Sequence, residues 1–156
     1  MQHAEPECFD LCAALESTVE AYQDVYPKRS FALHMHDESA ITKGSPELIV
    51  QMLDKLVDNA VGFSDDGDTI TITLAAQDNS LLLSVANPGP FLPERMRYQM
   101  FDSMVSVRPG EDDKHLGLGL YVAKLIAEGH GGKISADNTE DGVAVCITLP
   151  GETHGE

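Results

Sequence analysis

A chain of 156 residues, 42% hydrophobic and 23% charged, is long enough to form one domain with a buried core. Ten basic residues stand against 26 acidic ones, a formal charge of −16, which excludes the cationic face that nucleic-acid binding needs. No apolar run approaches the ~20 residues that cross a bilayer and the N-terminus carries no signal pattern, so the expectation is a cytosolic protein, or a soluble piece of a larger one with no membrane contact of its own.

Taken in chain order, Asp10 is placed as the N-cap of a helix running to about Tyr26, with Leu11, Leu15, Val19, Tyr22 and Tyr26 on one stripe and Pro27 beyond its end. From Ser30 to His36, Phe31, Leu33 and Met35 alternate with Ala32, His34 and His36, the period of a strand. Lys43-Gly44-Ser45-Pro46-Glu47 reads as a turn followed by a helix start, Ser45 capping and Pro46 at the first helical position, with the helix reaching about Phe63. Strands are expected at Thr69–Ala76 and Leu81–Ala86 around a tight Asp78-Asn79 turn, then a loop at Asn87-Pro88-Gly89-Pro90. A helix from Pro93 to about Phe101 follows. Residues Asp102 to His115 show no periodicity and read as a loop. A last helix opens at Leu116 and stops at Gly131-Gly132, and strands near Lys133–Asp137 and Val143–Leu149 close the chain. This order suggests an α/β fold, a two-layer sandwich in which a mixed, mostly antiparallel sheet carries about three helices on one face. Residues 1–156 read as one domain, with a core of about 8–150 and a tail at 151–156.

The three cysteines, Cys8, Cys12 and Cys146, have no metal-ligand spacing and read as reduced thiols. In so acidic a chain, a phosphate-bearing ligand must be held by local devices such as a metal ion, helix N-termini or a few placed cations. No Gly-Lys-Ser/Thr phosphate loop is present. On the second helix, at about 100° per residue, Asn59 lies roughly 20° from Met52, at the edge of the apolar face. An amide there faces a cleft floor rather than open water, and its oxygen suits magnesium.

The surrounding motifs carry more. Leu56-Val57-Asp58-Asn59-Ala60 with Ser64 resembles the N box of sensor histidine kinases. Val85-Ala86-Asn87-Pro88-Gly89-Pro90-Phe91-Leu92-Pro93 resembles their first glycine box, Phe101-Asp102-Ser103-Met104 the F box, and Leu116-Gly117-Leu118-Gly119-Leu120 through His130-Gly131-Gly132 the second glycine box with its helix. Four boxes in order cover about Ser45 to Leu149. Residues 101–108 and 115–120 look closest to a proteobacterial group linked to sortase systems.

This resemblance implies the fold shared by histidine kinases, DNA gyrase, the large heat-shock chaperone and mismatch-repair ATPases, with ATP and Mg2+ between the N-box helix and a flexible lid. Carried over by position, Asn59 is the magnesium ligand and, with Lys55, the catalytic pair. Asn87 accepts a hydrogen bond from the adenine amino group where the family usually has Asp, and Gly89 lets the backbone approach the base. Gly117, Leu118 and Gly119 offer N–H groups to phosphate where the lid enters a helix. Arg108 and Lys114, the cations of the Asp102–Lys114 lid, are candidates for the terminal phosphates.

The implied function is transfer of the ATP γ-phosphate to a histidine on a separate dimerisation domain, with a response regulator downstream, in the cytoplasmic part of a membrane-bound sensor. The chain alone, lacking the acceptor domain, is expected to be inactive: His36 ends a strand, where a phosphoacceptor needs a long helix, and His34 and His36 have no third metal ligand.

The departures from the pattern bear on affinity and activity rather than on family. Phe91 replaces a glycine of the first box, His115 the leading glycine of the second, Met104 a frequent Phe, and Lys55 a frequent Asn. Two other readings stay open. One is a free-standing serine kinase of the anti-sigma-factor type, which usually carries Glu at the place of Lys55. The other is a degenerate nucleotide module kept for docking.

Overall fold

The computed structural model describes residues 7–37, 39–91, 101 and 114–153, with the main chain only at 114–119, 152 and 153. Among the described residues eleven elements follow one another: β1 (Glu7–Asp10), α1 (Leu11–Val25), β2 (Ser30–Met35), β3 (Ala40–Gly44), α2 (Pro46–Phe63), β4 (Thr69–Gln77), β5 (Ser80–Pro88), α3 (Lys114–Gly129), β6 (Lys133–Asn138), β7 (Gly142–Pro150) and β8 (Glu152–Thr153).

The main sheet has the order β2-β4-β5-β7-β6, with β2 parallel to β4 and every other pair antiparallel. Strict alternation puts Ile70, Ile72 and Leu74 of β4, Leu81, Leu83 and Val85 of β5, and Val143, Val145, Ile147 and Leu149 of β7 in the core. The three helices supply the other half: Leu11, Leu15 and Val19 from α1, Met52, Leu53, Leu56 and Val57 from α2, and Leu120, Ala123 and Ala127 from α3. Each large side chain so enclosed is worth about 1.5–3 kcal/mol. The result is the expected two-layer sandwich, with α2 packed against both α3 and β5.

Both caps read from the sequence are present. The Asp10 carboxylate accepts from Cys12 N–H at 3.0 Å and also from Ala40 N–H at 2.9 Å. Ser45 Oγ accepts from Leu48 N–H at 3.2 Å, with Pro46 next. The hairpin turn has Asp78 and Asn79 both at positive φ, 48° and 64°, matching the right-handed strand twist.

Three expectations need correcting. Lys43-Gly44 is the end of strand β3, not a turn, and β3 is the centre of a second, small sheet of order β1-β3-β8. Residues 151–156 are not simply a tail, because Glu152–Thr153 pair with Ala40 and Ile41. Asn87 lies in strand β5, opposite Val143, rather than in a loop. In each case the strand residues are paired with a partner strand distant in the chain, which local periodicity cannot show. The last helix also begins at Lys114, two residues early. The expected helix from Pro93 and the lid from Asp102 to Asp113 lie outside the described residues, apart from Phe101, which is buried.

Candidate functional site

The C-terminal half of α2 and the end of β5 form the floor and one wall of the candidate site. Asn59 is 7% exposed, and its Oδ1 is buried without a hydrogen-bond partner among the described residues. An orphaned buried carbonyl oxygen costs about 1–3 kcal/mol, so a fold that keeps one holds an acceptor ready for something else. A hard cation is the ligand that needs only an oxygen lone pair and no acceptor in return. Asn59 therefore fits a magnesium ligand on geometry as well as by position.

Asn87 is equally buried, and its Nδ2 donates to the Pro88 carbonyl at 2.8 Å. That bond commits the donor end of the amide and makes Oδ1 the end that can accept from a ligand. Gly89 follows at φ +146°, its N–H donating to the Asp141 carbonyl at 3.1 Å. A Cβ on Gly89 would stand 2.8 Å from the Phe63 carbonyl oxygen. The missing side chain thus makes room for the end of α2, and a substituted residue would be strained there in any case. Asn59 and Asn87 are accordingly carried by two elements, α2 and β5, that touch at Phe63 and Gly89.

Gly117, Leu118 and Gly119 fall in the first turns of α3, which packs along α2. A helix leaves its first four N–H groups without helical partners. Counting the N-cap and the first three residues from Lys114, those free groups end at Leu116, and Gly117, Leu118 and Gly119 follow directly behind them. Lys114 opens the helix, and Arg108 lies outside the described residues. Lys55 is half-buried and lines a hollow of about 320 Å³ with Tyr22, Val25, Tyr26, Asp54 and Asp58. Its surroundings are strongly polar: the Tyr22 hydroxyl donates to the Asp54 carboxylate. Burial first, then that bond, pushes the Tyr22 phenol far above its usual range, and burial with Asp58 raises Tyr26. Phe91, in place of a glycine, is 58% exposed and does not fill the core. His34 stands exposed on strand β2.

Two residues shape the site in ways the sequence did not announce: Arg29 lies in no motif, and His130 was read only as the end of the second glycine box. His130 accepts from Ser45 N–H through Nε2 at 3.1 Å while Nδ1 faces the Ile126 carbonyl at 2.8 Å, which ties the end of α3 to the start of α2. Arg29 closes the other end of α2 by donating to the Val61 and Ser64 carbonyls. A helix C-terminus lacking any basic residue in its last turn is the only signal that such a cation must come from elsewhere.

Comparison with known proteins shows the family and the fold. The family model described as histidine kinase-, DNA gyrase B- and HSP90-like ATPase matches residues 44–153. The sensor protein CutS of Streptomyces coelicolor is 33% identical over 117 residues, 72% of this chain and 28% of that protein. The sensor histidine kinase WalK of Bacillus subtilis is 30% identical over 125 residues, 77% of this chain and 20% of that one. The catalytic domain of histidine kinase ThkA superposes with a TM-score of 0.84 at 26% identity, covering 94% of this chain and 96% of that one. The same kinase has been solved with the response regulator protein TrrA, where the TM-score is 0.79. The chain spans between a fifth and just over a third of the length of these curated sensor relatives, from 20% to 36%.

Proposed function

From the premise that this chain belongs to the histidine kinase-, DNA gyrase B- and HSP90-like ATPase family, as an ATP-binding domain of the sensor-histidine-kinase kind, we propose that it holds magnesium-ATP so that a histidine on a separate dimerisation domain attacks the γ-phosphate. The observation that carries the reading is the unpartnered, buried Oδ1 of Asn59. A magnesium ion held by Asn59 would supply positive charge against the ATP phosphates.

The chain's own residues bind and orient. Asn59 Oδ1 is the metal ligand, and Asn87 Oδ1 accepts from the adenine amino group while Pro88 keeps Nδ2 occupied. Gly89 lets the first glycine box approach both the end of α2 and the base. Gly117, Leu118 and Gly119 let the main chain at the start of α3 pass close to phosphate, and Arg108 from the lid and Lys114 from the first position of α3 meet the terminal phosphates. Lys55 adds a cation one turn before Asn59. Phosphoryl transfer asks little of covalent chemistry, so this positioning and charge compensation constitute the catalysis.

The partners in this reading are the histidine-bearing dimerisation domain of the parent kinase and a response regulator, as TrrA is for ThkA. Residues 1–156 act as one domain on the cytoplasmic side of a sensor; no helix among the described residues is long and apolar enough to cross a membrane. Titration calorimetry with ATP, with and without magnesium, tests the binding step. Labelled ATP tests the transfer: the chain alone should stay unlabelled, and label should appear on a histidine-bearing dimerisation domain supplied in trans. No nucleotide binding up to millimolar concentration would overturn the reading, as would label on His36 of the isolated chain.

A further inference from the structure

Arg29 sits in the loop between α1 and β2, far in sequence from every motif of the cleft. Its side chain is 12% exposed, and all of its guanidinium hydrogen bonds run to the end of α2 or just past it. Nη2 donates to the carbonyls of Val61 and Ser64, both at 3.0 Å. Nε donates to Ser64 Oγ at 2.7 Å, and Nη1 to the exposed carboxylate of Asp66 at 3.0 Å. The Val61 carbonyl also accepts from Ser64 N–H at 3.2 Å and from Ser64 Oγ at 3.0 Å, while the Ser64 carbonyl lies just past the helix end. Water could satisfy them; a planar fork does so in one geometry only.

The arginine is itself anchored. Its N–H donates to the Tyr26 carbonyl at 3.1 Å, and its carbonyl accepts from Gln23 Nε2 at 2.6 Å. On either side, Gly67 N–H donates to the Lys28 carbonyl and Ser30 N–H to the Asp68 carbonyl. The fork is therefore presented from a fixed stem. What it grips lies between two site residues: Phe63, whose carbonyl abuts Gly89, falls between Val61 and Ser64, and Asn59 stands two residues before Val61.

We propose that Arg29 is a positioning residue for nucleotide binding: by fixing the last turn of α2 it sets the spacing between the Asn59 amide and the Gly89 end of the base-binding strand. This rests on the reading of that cleft as the nucleotide site. The role needs the shape of the fork and not merely its charge, because a lysine ammonium cannot engage two carbonyls and a hydroxyl in one plane.

The test is nucleotide affinity by calorimetry on the 156-residue chain, for the wild type, Arg29→Gln, Arg29→Lys and Asp66→Asn. Measurements are made well below each variant's melting temperature, with circular dichroism confirming the fold. Arg29→Gln and Arg29→Lys should each weaken magnesium-ATP binding by about tenfold, and Asp66→Asn, which leaves the carbonyl contacts intact, by less than about twofold. If Arg29→Gln does not fold, Arg29→Lys decides, with Ser64→Ala, which removes one acceptor, expected to weaken binding about threefold. A folded Arg29→Gln or Arg29→Lys with wild-type affinity would reduce Arg29 to a stability role and overturn the inference alone. A wild-type chain that binds no nucleotide would instead overturn the reading of the cleft, and this inference with it.

Discussion

Gly44 and His130 share one space: a Cβ on Gly44 would stand 2.1 Å from the Cδ2 of His130 and 2.5 Å from its Nε2. The ring lies there because Nε2 accepts from Ser45 N–H, one residue on, at the capped start of α2. Gly44→Ala must push the imidazole out and strand that buried donor. The expected loss is roughly 2–3 kcal/mol, the sum of overpacking and a broken hydrogen bond. Urea denaturation in a double-mutant cycle checks it: with His130→Ala already in place, the same change should cost less than about 1 kcal/mol. Equal costs in both backgrounds would mean that the ring is not what Gly44 accommodates.

Substitution of Asn59 should separate function from stability. Its buried Oδ1 has no partner among the described residues, so removing it relieves a desolvated acceptor worth about 1–3 kcal/mol and offsets the small cavity that is left. Asn59→Ala should therefore abolish the magnesium-dependent part of nucleotide affinity while changing the unfolding free energy of the nucleotide-free chain by less than about 1 kcal/mol. A large loss of stability, with magnesium dependence intact, would make Asn59 a structural residue.

Much of this arrangement was legible before any coordinates. Both helix caps, the Asp78-Asn79 turn and the alternation of β4, β5 and β7 are local signals, written in residues near one another in the chain. Asn59 was legible for the same reason, since its place relative to Met52 follows from helical rotation. The small sheet was not. Glu7–Asp10 has no alternation to read, and Glu152–Thr153 is too short to show any; both exist as strands because Ala40–Gly44 lies between them. Arg29, and the bond by which His130 of the second glycine box ties α3 to α2, escaped for a related reason. Each caps α2 from more than thirty residues away, and helix-end chemistry supplied by a distant side chain leaves no mark at the helix itself. The role of Gly89 was only half visible: a loop glycine letting the backbone approach the base was expected, but its close approach to the Phe63 carbonyl was not.

The buried thiols set an alkaline limit on stability. Burial, with Asp10, Glu16 and Asp37 adding to it, raises Cys12 from 9.0 to about 11, and burial with Asp137 raises Cys146 in the same direction. In the unfolded chain both thiols ionise near their ordinary value, while in the fold they keep their protons. The stability they contribute is fully present below about pH 9 and is lost as pH rises through the folded values. Tyr22 and Tyr26 act in the same direction, starting from 10.0. The interval between pH 9 and 10 therefore belongs mainly to the cysteines. Chemical denaturation across it should show the wild type losing stability, Cys12→Ala losing less, and a Cys12→Ala, Cys146→Ala double variant losing least. An undiminished slope in the double variant would assign the alkaline loss to other groups.

Lys55 is the departure from the family pattern with the most direct consequence. It lies one turn before Asn59, roughly 40° away around the helix, and lines the hollow bounded by Tyr22, Tyr26, Asp54 and Asp58. Where hydrolysing relatives place a Glu that takes a proton from water, an ammonium has no lone pair to do so. The residue can serve only as a cation, either toward the nucleotide phosphates or toward the two neighbouring aspartates. Charge reversal separates these roles. If Lys55 faces phosphate, Lys55→Glu should lower magnesium-ATP affinity by about tenfold at low salt, a loss of roughly 1.4 kcal/mol, and Lys55→Gln by about threefold. Both effects should shrink at high ionic strength, because the lysine is only half-buried and salt screens it. If it merely balances Asp54 and Asp58, Lys55→Glu should instead lower the melting temperature through like-charge repulsion along the helix, worth a few tenths of a kcal/mol per pair, and leave affinity as it was. Calorimetry at two salt concentrations, beside a thermal melt, distinguishes the two. Unchanged affinity at low salt would remove Lys55 from the site.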